Sequence, residues 1–343
     1  NDFYKINDIP SKLLWKISSK EKQKFENLHS FLWLTKIDRK NSKIVTKNII
    51  KSWIDNFFNY EPNVWKMEIT AKRIISWTSN TDITLENSDK LYKERFFTSL
   101  IKQSNFLLKN LNSLLYLPDK IICCAAIILS GIIFKENNFN YKIGVKELEK
   151  VIKIYFDQEG FPKSRNPEEV FISIKYLILI REWFREAQKP IPDFLNDVIQ
   201  KCGNCYSFLS CSDKKFPLFN GASEINYKDY DVFLKNLKYK FNNQNYELAS
   251  LTKVKNKKID FFMDCGNPPQ NKFAKYYQAG CLSFELISNK QKIISNSGYG
   301  KYFSEKLTSL SRSTAAHSTL YINDTSSCIF QKNKFINKVY GNS

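Results

Sequence analysis

Between Lys20 and about Leu209, apolar residues return every three or four positions in segments separated by turn-forming residues. The spacing predicts helices over Lys20 to Leu34, Ser42 to Asn59, Asn63 to Ser79, Ser88 to Leu111, Asp119 to Phe134, Val145 to Phe156, Pro167 to Glu186 and Pro192 to Leu209. Asn63, Asp119 and Asn166 act as start signals, and Pro167 at a first helical position gives up no needed hydrogen bond. Asp119 to Phe134 and Phe171 to Ile180 are apolar nearly all round, so they belong inside a helical array and not on its surface. Consecutive helices with short connections imply an α/α bundle or toroid.

After Asp213 the period shortens to two. Strands are predicted over Tyr246 to Leu251, Lys258 to Asp264, Gly280 to Ser288, Gln291 to Ser295, Ala316 to Asn323 and Ser327 to Gln331. In Cys281 to Ile287, Leu282, Phe284 and Leu286 alternate with Ser283 and Glu285, which predicts that the apolar set faces the core. A run of helices followed by a run of strands gives an α+β multidomain class: an α/α toroid over residues 1–225 and an antiparallel β-sandwich over 226–343. The chain opens on Asn1 and ends at Ser343 just after the strand-like run Phe335 to Val339, so a fragment with an incomplete sandwich is expected. The longest uncharged apolar run, Ile121 to Phe134, is shorter than the roughly 20 residues needed to cross a bilayer, so no membrane insertion is expected.

Charge widens the field before motifs narrow it. Lys and Arg number 53 against 34 Asp and Glu, a net +19, which admits nucleic acid, acidic polysaccharide or a membrane surface as partner. The excess accompanies a broader enrichment in Lys, Asn, Ile, Phe and Tyr, so part of it is compositional. The cations are scattered through the helices, without a basic stripe interleaved with base-stacking aromatics, which argues against nucleic acid. No phosphate-cradling glycine loop is present, and Gly298-Tyr299-Gly300 opens no helix.

The chain has two histidines. His29 lies on an ordinary amphipathic helix with Phe25, Leu28 and Leu32 and reads as structural. His317 lies in Ser311-Arg312-Ser313-Thr314-Ala315-Ala316-His317-Ser318-Thr319-Leu320; on the predicted strand it shares a polar face with Thr319 and Tyr321, which suits a general base or metal ligand. The loop Gln158 to Glu169 places Lys163, Arg165 and Asn166 just before a helix N-terminus, where a carboxylate would be favoured, although Asn166 also fits a plain N-cap. Cys202-Gly203-Asn204-Cys205 has no second pair and no histidine at zinc spacing; the eight cysteines are read mainly as small buried hydrophobes.

Three β-region segments, Asp264-Cys265-Gly266-Asn267-Pro268-Pro269, Ala279-Gly280-Cys281-Leu282-Ser283-Phe284-Glu285-Leu286 and Arg312 to Leu320, together resemble the heparinase II/III-like polysaccharide lyase family, in particular its α-proteobacterial branch. Met67 to Trp77, which contains Arg73, and Ser164-Arg165-Asn166-Pro167 resemble motifs of that branch's helical domain. The resemblance implies a toroid joined to a β-sandwich, a carbohydrate-active protein of the cell envelope or periplasm, and β-elimination on an acidic, uronate-containing polysaccharide. It further implies Arg165 or Asn166 as the group that neutralises the uronate, His317 as base or as part of a metal site, and Tyr299 or Tyr302 as acid. Lys163, Arg165, Arg312, Arg73 and Trp77 are then expected to bind substrate. Zinc is compatible with the family, while the sequence offers no complete ligand set and no certain cofactor. Glu169 stands where active members of the family carry a tyrosine, so a catalytically altered glycan-binding or envelope-assembly protein of the same fold is the alternative.

Overall fold

The computed structural model describes residues 14–134, 138–300, 302–330 and 336–339. The helical elements, in chain order, are α1 (Lys22–Ser30), α2 (Lys43–Phe57), α3 (Met67–Ser79), α4 (Thr81–Thr84), α5 (Lys90–Asn110), α6 (Leu117–Ile133), α7 (Asn138–Tyr155), α8 (Pro167–Glu186), α9 (Asp193–Leu209), α10 (Lys228–Asn236) and the short α11 (Glu305–Leu310). Every helix expected from the periodicity is present. The C-terminal part of the first prediction tightens into a 3-10 turn, Leu32–Lys36, after Phe31 takes a left-handed φ of 57°.

By packing, the described chain forms two compact units, one of residues 1–151 with 179–190 and the other of 152–178 with 191–343. The boundary expected after residue 225 remains a proposal; helices α10 and α11 lie beyond it. In the first unit α3 packs on α6 and α1. Helix α6 carries an almost unbroken buried run from Ile121 to Gly131, as its all-round apolar sequence requires. It also meets α7 closely: a Cβ on Gly131 would lie 2.4 Å from the Tyr141 amide nitrogen, and one on Gly144 2.8 Å from Ile128 Cγ1.

The second unit contains an antiparallel five-strand meander, β1 (Glu247–Leu248), β2 (Leu251–Lys255), β3 (Ile259–Asp264), β4 (Phe284–Ser288) and β5 (Gln291–Ile294), in spatial order 1-2-3-4-5. A separate pair, β6 (Cys328–Phe330) and β7 (Ile336–Val339), is also antiparallel. The predicted first strand is broken at Ala249 and Ser250, both with left-handed φ, into the β1–β2 hairpin. Gln331 and Phe335, at the ends of two predicted strands, lie outside the described residues.

Two β-region expectations are overturned. Ala316 to Asn323 is not a strand: a 3-10 turn, Thr314–Ala316, leads into an irregular segment in which Leu320, Tyr321 and Ile322 are exposed. In β4 the buried face is the opposite of the predicted one: Ser283, Glu285 and Ile287 are buried, while Leu282 is exposed and Phe284 and Leu286 are half-buried. Alternation holds, but its phase is set by internal partners for the carboxylates. Fully buried Glu285 accepts from Lys292 Nζ at 3.0 Å, Ser295 Oγ at 3.2 Å and the Asn296 amide at 3.0 Å. Asp260 and Asp264 on β3 are buried on the same principle.

Candidate functional site

The loop that precedes α8 is built by its own side chains. Asp157 Oδ1 accepts the amides of Glu159 at 2.9 Å and Phe161 at 2.8 Å, and Gly160 turns with φ 83° against Lys201. Cys202 and Cys205 point their thiols at the carbonyls of Gly160 and Glu159, and burial pushes both thiols up from their ordinary range. This CxxC therefore latches a loop, as a pair of small buried donors would.

The loop ends at Arg165, held at a left-handed φ of 60°. Its guanidinium ion-pairs with buried Asp264 and donates to the Asn267 carbonyl at 3.0 Å. The close approach explains Gly266, because a Cβ there would lie 2.1 Å from Arg165 Cζ. Asp264 is completed by Asn220 Nδ2 at 2.9 Å, and the same amide donates to the Arg165 carbonyl at 3.1 Å. The expectation of Arg165 as a free substrate-binding cation is thus corrected: a buried carboxylate claims its charge. Asn166, 2% exposed, accepts the Glu168 amide at 2.8 Å through Oδ1, so it does cap α8, and its Nδ2 makes no hydrogen bond to the described residues.

The segment Asn220 to Ser223 links this loop to the other candidates in the second unit. The Gly221 amide donates to Gln278 Oε1 at 3.0 Å, and Gln278 Nε2 donates to the Gly298 carbonyl at 2.9 Å and the Ser311 carbonyl at 2.6 Å. The Ser223 amide donates to Glu168 at 2.8 Å, and the Tyr299 amide donates to the Ala222 carbonyl at 2.9 Å. One hydrogen-bonded network therefore joins Arg165 and the start of α8 to Tyr299 and to the turn before His317.

His317 packs on Gly280, where a Cβ would lie 3.3 Å from its Cγ. Burial lowers its pKa to about 4, only partly offset by a hydrogen bond with the Ser311 backbone, so the ring is neutral near pH 7. Its Nε2 is buried without a partner among the described residues. A second orphan lies one hydrogen bond away: Asn296, 3% exposed, accepts the Ser318 amide at 3.0 Å through Oδ1 while its Nδ2 is unpartnered. Asn296, Asn220 and Gln278 were not singled out in sequence, and Asp264 entered only within a motif, with no role; isolated amides and acids on strands and turns carry no periodic signal.

The remaining candidates are placed as follows. Tyr299 is 7% exposed with its ring 5.1 Å from that of Tyr276, whereas Tyr302 is 42% exposed. Arg312 is 5% exposed, donates Nε to the Tyr277 carbonyl at 2.8 Å and lies 3.8 Å over the Phe330 ring, so it serves packing and is not a free cation. Lys163 donates to the Ile154 carbonyl at 2.8 Å and borders an open depression of about 640 Å³, which Asp157, Glu159 and Glu247 also line. Cations and carboxylates are therefore mixed in that lining. Arg73 and Trp77 belong to the first unit and are fully buried. Arg73 stacks 4.0 Å over Trp53 and donates to Gln103 Oε1 at 2.6 Å and the His29 carbonyl at 3.0 Å, so both are corrected from substrate-binding to core residues.

Among the described residues no group of three His, Cys, Asp or Glu could hold a metal ion, and His317 has no companion ligands, so the donor set does not fit a zinc centre. No described helix is long and apolar enough to cross a membrane.

Consecutive helices followed by an antiparallel sheet define an α+β fold class, a helical region joined to an antiparallel β region. The heparinase II/III-like resemblance is borne out: residues 242–339 match the family model described as Heparinase II/III-like, C-terminal. Solved structures share the fold over most of the chain. A heparinase III structure matches with TM-score 0.67 and 17% identity, covering 91% of this chain and 57% of that one. The heparinase III BT4657 gene product matches at 0.63 and 17%, covering 93% and 59%. A mutant of heparan sulfate lyase HepC from Pedobacter heparinus matches at 0.63 and 15%, covering 93% and 56%. The chain thus spans less than two thirds of the length of these structures. No curated protein matches in sequence.

Proposed function

We propose that the chain is the helical and sheet part of a polysaccharide lyase that cleaves an acidic, uronate-containing glycan by β-elimination in the cell envelope, with the periplasm as its compartment. The observation that carries the reading is His317, a buried neutral imidazole with an unpartnered Nε2, tied into the network that holds Asn166 and Tyr299. In this reading the Asn166 amide hydrogens offset the uronate carboxylate, and His317 Nε2 takes the C5 proton. The C4–O bond breaks as the C4=C5 double bond forms, and Tyr299 returns a proton to the leaving oxygen. A base with a pKa of about 4 is in its proton-accepting form throughout the neutral range. The acid limb of kcat/KM is therefore expected near pH 4 instead of at the usual imidazole value of 6.5.

Release of unsaturated uronate from a panel of acidic glycans tests the reaction. Turnover is expected, with a loss of about 10² to 10⁴-fold in His317→Ala. Binding without turnover by wild type would instead support the catalytically altered glycan-binding reading. That second reading has its own observation: Glu169, where the family's active members have tyrosine, is buried against the Tyr155 and Ser164 hydroxyls. Activity that survives His317→Ala would remove His317 from the role of base.

A further inference from the structure

Within the first unit, one face of α2 and the start of α5 enclose a cavity of about 340 Å³. Ile44, Lys47 and Lys51 recur on α2 at helical spacing, and Leu91 and Arg95 do so on α5, so two cation-bearing stripes meet across it. Lys51 is exposed and has no partner among the described residues. Lys47 donates only to the Glu86 carbonyl, which leaves its charge unneutralised there. Arg95 is paired with Asp55, and Asp89 is the acidic residue in the lining, occupied as N-cap by the Tyr92 amide at 2.8 Å. The wall also holds Ser88 Oγ, buried and without a partner. Ile44 and Leu91, which also line it, are 75% and 67% exposed.

We propose that this cavity is a second binding site, for one acidic sugar unit of a glycan chain. Lys47 and Lys51 meet the carboxylate or sulfate, the Ser88 hydroxyl takes up a ring hydroxyl, and Ile44 and Leu91 cover the C–H faces of the ring. The volume lies at the small end of ligand sites, about 300 to 1,000 Å³, and suits one or two sugar rings. The preference for an anion comes from the lining itself; the choice of a saccharide rests on the lyase reading above.

Calorimetric titration of the full chain with a uronate-containing tetrasaccharide tests the proposal, in a His317→Ala background so that turnover does not intervene, or in His317→Gln should the alanine variant not fold. Binding is expected to weaken about tenfold or more in Lys51→Glu, and further in Lys47→Glu/Lys51→Glu, with the melting temperature of Lys51→Glu unchanged because Lys51 makes no contact to lose. A carboxyl-reduced tetrasaccharide should lose the same component. If the chain has no lyase activity yet binds the tetrasaccharide through Lys51, the site stands and the lyase reading fails. Affinity and stoichiometry unaffected by both charge reversals overturn the site. Inorganic sulfate binding as tightly as the tetrasaccharide overturns the assignment to a sugar.

Discussion

Arg165 illustrates how a residue chosen for binding chemistry is used for structure. Its guanidinium lies over Gly266 against Asp264, a carboxylate 1% exposed. Removing one partner of such a pair leaves the other charge buried and uncompensated, which costs about 3–5 kcal/mol. Arg165→Ala should therefore lower the unfolding free energy obtained from urea titration by that amount, and Arg165→Ala/Asp264→Asn should recover part of it. Gly266→Ala should approach the single variant, since its Cβ would occupy the space of the guanidinium. A loss below about 1 kcal/mol for Arg165→Ala would show that the pair is hydrated and that Arg165 is free for a ligand. The partners are 99 positions apart, so nothing near Arg165 in sequence announces Asp264. What sequence did expose was the Ser164-Arg165-Asn166-Pro167 motif, together with the N-cap chemistry of Asn166, because both are local.

At the scale of elements, legibility followed the length of the periodic pattern. Eight helices between Lys20 and Leu209 were visible, since each repeats its apolar face over successive turns, whereas α4, α10 and α11 were not predicted; α6 was marked as central by being apolar on every side. That centrality is measurable: Ile127, fully buried, should cost about 2–5 kcal/mol as Ile127→Ala, whereas Leu115→Ala, at an 88% exposed position just before α6, should be nearly neutral. Denaturation midpoints that do not separate the two would remove α6 from the core. Strands were less legible because a few alternating residues define a period without defining which phase is buried. In β4 the buried phase holds Glu285, whose partners Lys292, Ser295 and Asn296 follow in the next hairpin. The run from Ala316 to Asn323 had strand composition, but the Thr314 hydroxyl bonds back to the Ala279 carbonyl at 2.7 Å and the chain turns there. His317 was thus placed on the wrong element: it lies in a turn against Gly280, not on a strand.

For the molecule as a whole, the two histidines couple folding to pH in a window that can be worked out. Burial lowers His317 to about 4, and burial together with the Arg73 charge lowers His29 to about 3, against an ordinary value of 6.5. Between pH 6.5 and 4 the unfolded chain therefore binds up to two protons that the folded chain refuses, so stability rises with pH across that window and is fully present above it. Each proton contributes a slope of about 1.4 kcal/mol per pH unit at its limit. Below pH 4 His317 stops contributing, and His29 continues to about pH 3. The carboxylates act later: those of Asp38 and Asp82 are lowered from 3.8, so their contribution is lost only as pH falls below that value. The net charge of +19 grows over the same range and also favours unfolding, but repulsion between exposed charges is screened by salt while buried imidazoles are not. Thermal melts from pH 7 to 4.5 in high salt should accordingly still fall steeply. His29→Gln, which keeps an acceptor for the Trp53 indole N–H now bonded to His29 Nδ1 at 3.3 Å, should remove about half of the slope. A wild-type profile that is flat in high salt would mean that both rings titrate freely, and would withdraw with it the neutral, poised state assigned to His317.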